Sequence, residues 1–261
     1  MCERRVNIDA LFRDAALRCG DPTLTRMPYT IDDRGSDFDG VYAMCYNATA
    51  NPSGRNACGP DWTFHGWPAA SIESFERVTA QIEAAGAENE PRIRKVGWFG
   101  NVHSPMSGVP EHRTRPLLKA MGDMRPDVLD IVHVGPENSR VGVGVPRYVS
   151  LPDHTHYAGL LDIGGNGYSG RLKYLLFSGR PLLLVARDYV EYFHVDMVPN
   201  VHYVPVKQDL SDLVDRVEWL LTHEAEGRLI AQNALAFAKE RFTRDKILDR
   251  ICEVHRHLST F

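Results

Sequence analysis

The sequence predicts an α/β protein, with parallel strands and helices on both faces of the sheet. Three observations lead there. From residue 95 onward, short apolar runs alternate with helical patterns, and strands joined through helices run parallel. The run 182–185, Leu-Leu-Leu-Val, is apolar at every position, as befits a strand covered on both sides. Between these features lies 162–186, DIGGNGYSGRLKYLLFSGRPLLLVA, which reads as strand end, glycine turn, helix, second turn and buried strand.

The elements are expected in the following order. Residues 7–19 carry Ile8, Leu11, Phe12, Ala15 and Leu17 at helical spacing. Short strands are expected at 27–31 and 41–46, separated by an acidic turn, and a polar loop follows to residue 60. A helix over 71–85, capped by Ser71 or Ser74, puts Ile72, Phe75, Val78 and Ile82 on one face. The linker-like 85–92, AGAENEPR, marks a boundary between units 1–93 and 94–244, with a C-terminal helix in 245–261 packing back on the first. In the second unit, strands are expected at 95–99, 130–134, 160–163, 182–185 and 202–206, and helices at 115–121, 211–221, 224–242 and 245–258. Ser169 would cap a helix burying Leu172, Leu175 and Leu176, and Ser178-Gly179 would end it.

Bulk properties exclude several functions. The chain has 261 residues, 43% hydrophobic and 25% charged, with a net charge of −4, so no general nucleic-acid binder is indicated. No apolar run approaches the roughly 20 residues of a membrane span, and charges interrupt the N-terminus where a signal peptide needs an apolar stretch. Five scattered cysteines (Cys2, Cys19, Cys45, Cys58, Cys252) fit a reduced, cytoplasmic setting. Cys45 and Cys58 are near enough in sequence to meet across a loop, but spacing does not fix a bond between them.

Candidate chemistry gathers where strands end. Glycines 164, 165 and 167 let the backbone approach a ligand closely, and their amides would suit an anionic oxygen cluster at a helix start. Arg171 follows in the first turn, where a guanidinium can grip phosphate. The loop after strand 95–99 holds Asn101, His103, Ser104, Ser107, Arg113 and Arg115, and ligands of open α/β sheets bind beyond such strand ends. Asp32-Asp33 offers a carboxylate for general-base work, although acidic turns also arise from Asp bonding its own backbone. His65 and His103 are alternative bases, whereas His154/His156 and His255/His257, at i,i+2 spacing, read as surface residues. No metal-ligand spacing is present. Gly165, Gly167 and Gly170 also fit G-x-G-x-x-G, with Asp188 beyond, so a nicotinamide-dependent oxidoreductase is an alternative.

The run NGYSGRLKYLLFSGRPLLL, then DYVEYF, then NVHYVPVKQDLSDLVDRVEWL resembles the protein O-glucosyltransferase and capsule-associated xylosyltransferase group, glycosyltransferase family 90. Trp62-Thr63-Phe64 and Trp98-Phe99-Gly100-Asn101 look like two further blocks of that family, so the resemblance covers roughly 27–258 and is strongest over 160–222. It implies a GT-B fold of two Rossmann-like domains, here with an abbreviated N-terminal one. It also implies inverting, metal-independent transfer of xylose or glucose from a UDP-sugar to a hydroxyl of a glycan or glycoprotein, with no cofactor.

Carried over by position, the resemblance implies donor binding by Gly100, Asn101, Arg113 or Arg115, Gly165, Asn166, Gly167, Tyr168, Ser169 and Arg171. Asp33, or its neighbour Asp32, would be the base. Asn101 stands where the family often has serine, and Phe99 where it has arginine. A non-catalytic nucleotide-sugar-binding relative is the other alternative.

Overall fold

The computed structural model describes residues 2–35, 40–103, 114–134 and 149–260. Its centre is a five-stranded parallel sheet built from β2 (Ile93–Gly100), β3 (Leu129–His133), β4 (Tyr157–Asp162), β5 (Leu182–Val185) and β7 (Val204–Val206), in the spatial order β3-β2-β4-β5-β7. Register is set by facing residues such as Trp98 with Ile131, Leu160 with Leu182 and Leu184 with Pro205. Helices α1 (Glu3–Cys19), α2 (Phe75–Glu88), α3 (Thr114–Met124), α4 (Leu172–Leu175), α5 (Leu213–Thr222), α6 (Glu224–Arg241) and α7 (Arg244–Leu258) surround it. The mixed α/β class expected from strand–helix alternation is present.

Alternation along β5 shows why the sheet is buried on both sides. Leu182 and Leu184 enter one core with α1, α2 and α7 residues such as Phe12, Phe75 and Ile251. Leu183 and Val185 enter the other, with Leu118 of α3, Val217 of α5 and Ile230 of α6. Successive strand side chains point to opposite faces, so an all-apolar run needs cover on both. Ser74 caps α2 by accepting from Arg77 N, and Thr243 caps α7 by accepting from Lys246 N.

Several expectations are corrected. Residues 27–31 and 41–45 are not strands: they make only isolated bridges, Tyr29 to Tyr42 and Ala43 to Cys58, and of the expected second strand only Tyr46 enters a ladder. Pro28 supplies no N–H, and Tyr42 spends its hydroxyl on Pro60 O at 2.6 Å, so these apolar residues pack one by one instead of pairing as a ladder. The short strand β1 (Tyr46–Asn47) pairs antiparallel with β6 (Tyr189–Val190), joining early and late chain. Helix α2 runs on to Glu88, into the expected linker.

Helix α4 is a single turn, and Ser169 does not cap it: its hydroxyl donates to Asp162 Oδ1 at 2.7 Å instead. Gly179, with φ of 62°, takes the left-handed turn after it, as expected of Ser178-Gly179. The thiols are not all reduced. A disulfide joins Cys19 to Cys252, tying the end of α1 to α7, where Arg18 also pairs with Asp245 and Asp249. Cys45 and Cys58 are buried and form no disulfide.

Candidate active site

Counting the five parallel strands along the chain as first to fifth, their spatial order is 2-1-3-4-5. The order reverses between β2 and β4, and connections leaving such a point diverge to opposite faces and open a crevice at the strands' carboxyl ends. Gly100 and Asn101 leave β2 there, and the glycine turn leaves β4. The crevice is a cleft of about 720 Å³. Its walls include Gly100, Asn101, Arg115, Gly165, Asn166, Tyr168, Ser169, Arg171 and Asp33, nine of the sequence candidates.

Two guanidiniums dominate this cleft. Arg115 reaches from α3, donating Nε to Gly164 O and Nη1 to Asn101 O, each at 2.9 Å. Arg171 donates Nη1 to Phe99 O. Both lie against the ring of Trp98, with Cζ at 5.5 Å for Arg115 and 5.6 Å for Arg171. Neither is ion-paired among the described residues. Asp162, the carboxylate whose field reaches both, is held by Arg187 at 2.6 Å and by Ser169. Burial pushes the Arg115 pKa down to about 10, and Arg171 adds to that; burial lowers Arg171 as well.

Two buried positive charges with no ion-pair partner among the described residues, only partly offset by the field of Asp162, gain from a dianion placed between them. Guanidinium forks suit phosphate oxygens, so the arrangement can hold a diphosphate. The helix-start argument made from sequence does not carry over, because one turn of α4 has little dipole to offer.

The remaining candidates separate cleanly. Gly167 does not line the cleft; it supports Asp33 from behind, and a Cβ there would sit 1.6 Å from the Asp33 carbonyl oxygen. Asp33 also accepts at its carbonyl from Cys45 Sγ (3.0 Å), and its carboxylate pairs with Arg4 of α1 at 2.7 Å. It stands between the cleft and a second, more open hollow of about 630 Å³. Asp32 lines only that hollow, and its carboxylate accepts from Arg34 N at 2.8 Å, an Asp turn of the ordinary kind. Asn166 borders both hollows and gives its carbonyl to Arg34 Nε at 3.1 Å. The Tyr168 hydroxyl faces Met44 Sδ at 3.9 Å, and burial raises its pKa well above that of a free phenol.

Arg113, Ser104 and Ser107 lie outside the described residues. His65 and His103 do not line the cleft; the His103 ring packs against that of His133 at 4.9 Å. His154 corrects the surface reading: it is 4% exposed and lines the cleft beside Phe99.

Sequence reasoning missed what lies under and beside these groups. Trp62 and Trp67 meet edge to face at 5.3 Å and form an aromatic wall, with Arg4 over Trp62. Beneath, Lys173 is fully buried with Asp61 (3.1 Å) and Glu191 (2.8 Å), and it also donates to Gly170 O at 3.0 Å. Burial works against the Lys173 ammonium, but the two carboxylates outweigh it and raise its pKa; burial pushes the Glu191 carboxyl up to about 8. Two acids thus share one base. Asp61 caps the turn Trp62–Phe64 through Thr63 N, so Lys173 ties the aromatic wall to the backbone preceding Arg171. A lysine inside the apolar Leu172–Phe177 run was the available signal.

A 110-residue stretch is 30% identical to protein O-glucosyltransferase 2 of Danio rerio, covering 42% of this chain and 21% of that protein. Over 175 residues the chain is 29% identical to protein O-glucosyltransferase 3 of Rattus norvegicus, covering 66% of this chain and 34% of the relative. A viral protein, uncharacterized protein 035R of Invertebrate iridescent virus 3, is 30% identical over 159 residues, covering 54% of this chain and 14% of its own. The chain therefore spans between about a seventh and about a third of the length of these relatives. The sequence model of the family described as Glycosyl transferase family 90 matches residues 45–259, which takes in the Trp62 wall, both cleft arginines and the glycine turn, and the chain belongs to glycosyl transferase family 90.

Proposed function

We propose that this glycosyltransferase moves glucose or xylose from a UDP-sugar to a hydroxyl of a glycan or glycoprotein acceptor, by an inverting, metal-independent displacement. The observation that carries the reading is the pair of buried guanidiniums, Arg115 and Arg171, unpaired among the described residues where β2 and β4 diverge. Negative charge grows on the diphosphate as the glycosidic bond breaks, and donors fixed beforehand in the cleft stabilise that state more than the ground state. Asp33 takes the proton of the acceptor hydroxyl as its oxygen attacks the anomeric carbon from the side opposite the diphosphate. In the GT-B arrangement this reading implies, residues 1–93 form the acceptor side, together with the C-terminal helix, and 94–244 the donor side.

The test is UDP release from UDP-glucose, UDP-xylose and other UDP-sugars, with and without EDTA. Turnover of glucose or xylose donors that survives chelation is expected. Loss of activity on chelation, or UDP protecting the fold no better than a nicotinamide dinucleotide, sinks the proposal. Binding of UDP without any turnover would point to the non-catalytic relative. The oxidoreductase alternative has little support, because the one-turn α4 lacks the helix start that a dinucleotide site uses.

A further inference from the structure

Three polar atoms in the cleft are buried and have no hydrogen-bond partner among the described residues: Arg171 Nε, Trp98 Nε1 and His154 Nε2. Buried polar groups are nearly always satisfied, so each of these is a demand left for a ligand to meet. Arg171 and Trp98 offer hydrogens and suit the oxygens of an anion. His154 is opposite in kind. Its Nδ1 lies 2.6 Å from Ser150 O, and a carbonyl only accepts, so the ring hydrogen sits on Nδ1 and Nε2 presents a lone pair. Burial, with a smaller push from Arg171, takes the ring pKa down to about 4 and keeps it neutral. The ring stands edge-on to Phe99, centroids 4.5 Å apart, which leaves it little freedom to turn. Val134, Val149 and Leu151 are among the apolar residues that line the same cleft.

The geometry points to His154 as a specificity-determining residue whose Nε2 accepts a hydrogen bond from an N–H or O–H of the bound nucleotide sugar. This rests on the reading of the cleft as a nucleotide-sugar site and adds to it the chemical character of one contact. An acceptor fixed in apolar surroundings discriminates sharply, because a ligand presenting another lone pair there leaves two buried groups unpaired. The hydrogen can come from the imide of the base or from a hydroxyl of either sugar. Uracil carries an N–H where cytosine carries a lone pair, which makes the sources separable.

The experiment measures calorimetric affinity of the whole chain for UDP, CDP and UDP-glucose, in the wild type and in His154→Phe and His154→Gln. Phenylalanine keeps the ring and removes the acceptor, and glutamine can return an oxygen near the Nε2 position. His154→Phe is expected to weaken UDP binding about tenfold, with glutamine recovering it to within about threefold. If the loss is specific to UDP and the UDP-over-CDP preference disappears, the contact is the imide. Equal losses for UDP and CDP assign it to a ribose hydroxyl, and a loss confined to UDP-glucose assigns it to the transferred sugar. Affinities for all three ligands within twofold of wild type, at unchanged melting temperature, overturn the proposal. So do equal losses in both variants with a lowered ligand-free melting temperature, which would mean that His154 only anchors Ser150. A wild type that binds neither UDP nor UDP-glucose would instead refute the nucleotide-sugar reading beneath it.

Discussion

Asp33 reaches the cleft on a turn that leans on Gly167, and its carboxylate is fixed by Arg4. The adjacent Asp32 spends its carboxylate on its own turn. Asp33→Asn is therefore expected to abolish UDP release while leaving UDP affinity within about twofold, and Asp32→Asn to change neither; turnover by the Asp33 variant would place the base elsewhere. Arg171→Ala should cost about 2–4 kcal/mol in kcat/KM, as removal of a donor to a developing oxyanion does. A loss under about half a kcal/mol would make the arginine a bystander. Gly167→Ala drives a methyl into the Asp33 carbonyl, so both melting temperature and turnover should fall; an unchanged melting temperature would contradict the contact. Glycine turns and arginines beside strand ends serve few purposes, which made 164–171 legible in the sequence. The difference between the surroundings of Asp33 and Asp32 is made by Arg4 and Gly167, both distant along the chain, and no local pattern records it.

Short helical elements deceive sequence reading more than long ones. Helices α5, α6 and α7 fall close to their expected ranges because each repeats an apolar stripe over several turns. The expected helix after Ser169 shrinks to one turn, since Lys173 is drawn inward by Asp61 and Glu191 and Ser169 turns to Asp162. His154 was misread because spacing arguments assume a helix, whereas it sits in the short turn Pro152–His156 under Phe99.

The buried Lys173 cluster carries its own prediction. Glu191 is raised from 4.5 to about 8 by burial, so the fold favours its neutral form. That contribution is complete below about 4.5 and is lost as pH climbs through about 8. Melting temperature should accordingly decline over this interval in the wild type, and Glu191→Gln should flatten the decline. An equally steep profile in the variant would show that another group is responsible.

Among the described residues, a parallel sheet separates two large cores, and its strand order sets where the cleft opens. Alternation of strand and helix was enough to foresee the sheet, its parallel sense and the carboxyl-end crevice. Residues 20–74 were harder to read, because their apolar side chains are buried singly through turns and bridges that have no period. The Cys19–Cys252 bond was equally hidden, since 233 residues separate its ends and spacing says nothing about such a pair. Replacing both cysteines by serine should lower stability by about 2–4 kcal/mol, read from denaturant midpoints without reductant; an unchanged midpoint would mean that the bond constrains little.

That bond has a consequence at the other end of α1. The helix that carries Cys19 near its close carries Arg4 near its start, and Arg4 is the residue that steadies Asp33. Electrons delivered by a thiol donor would thus slacken a lever whose far tip rests on Asp33, and if that carboxylate is the base proposed above, the oxidation state of the surroundings is coupled to turnover.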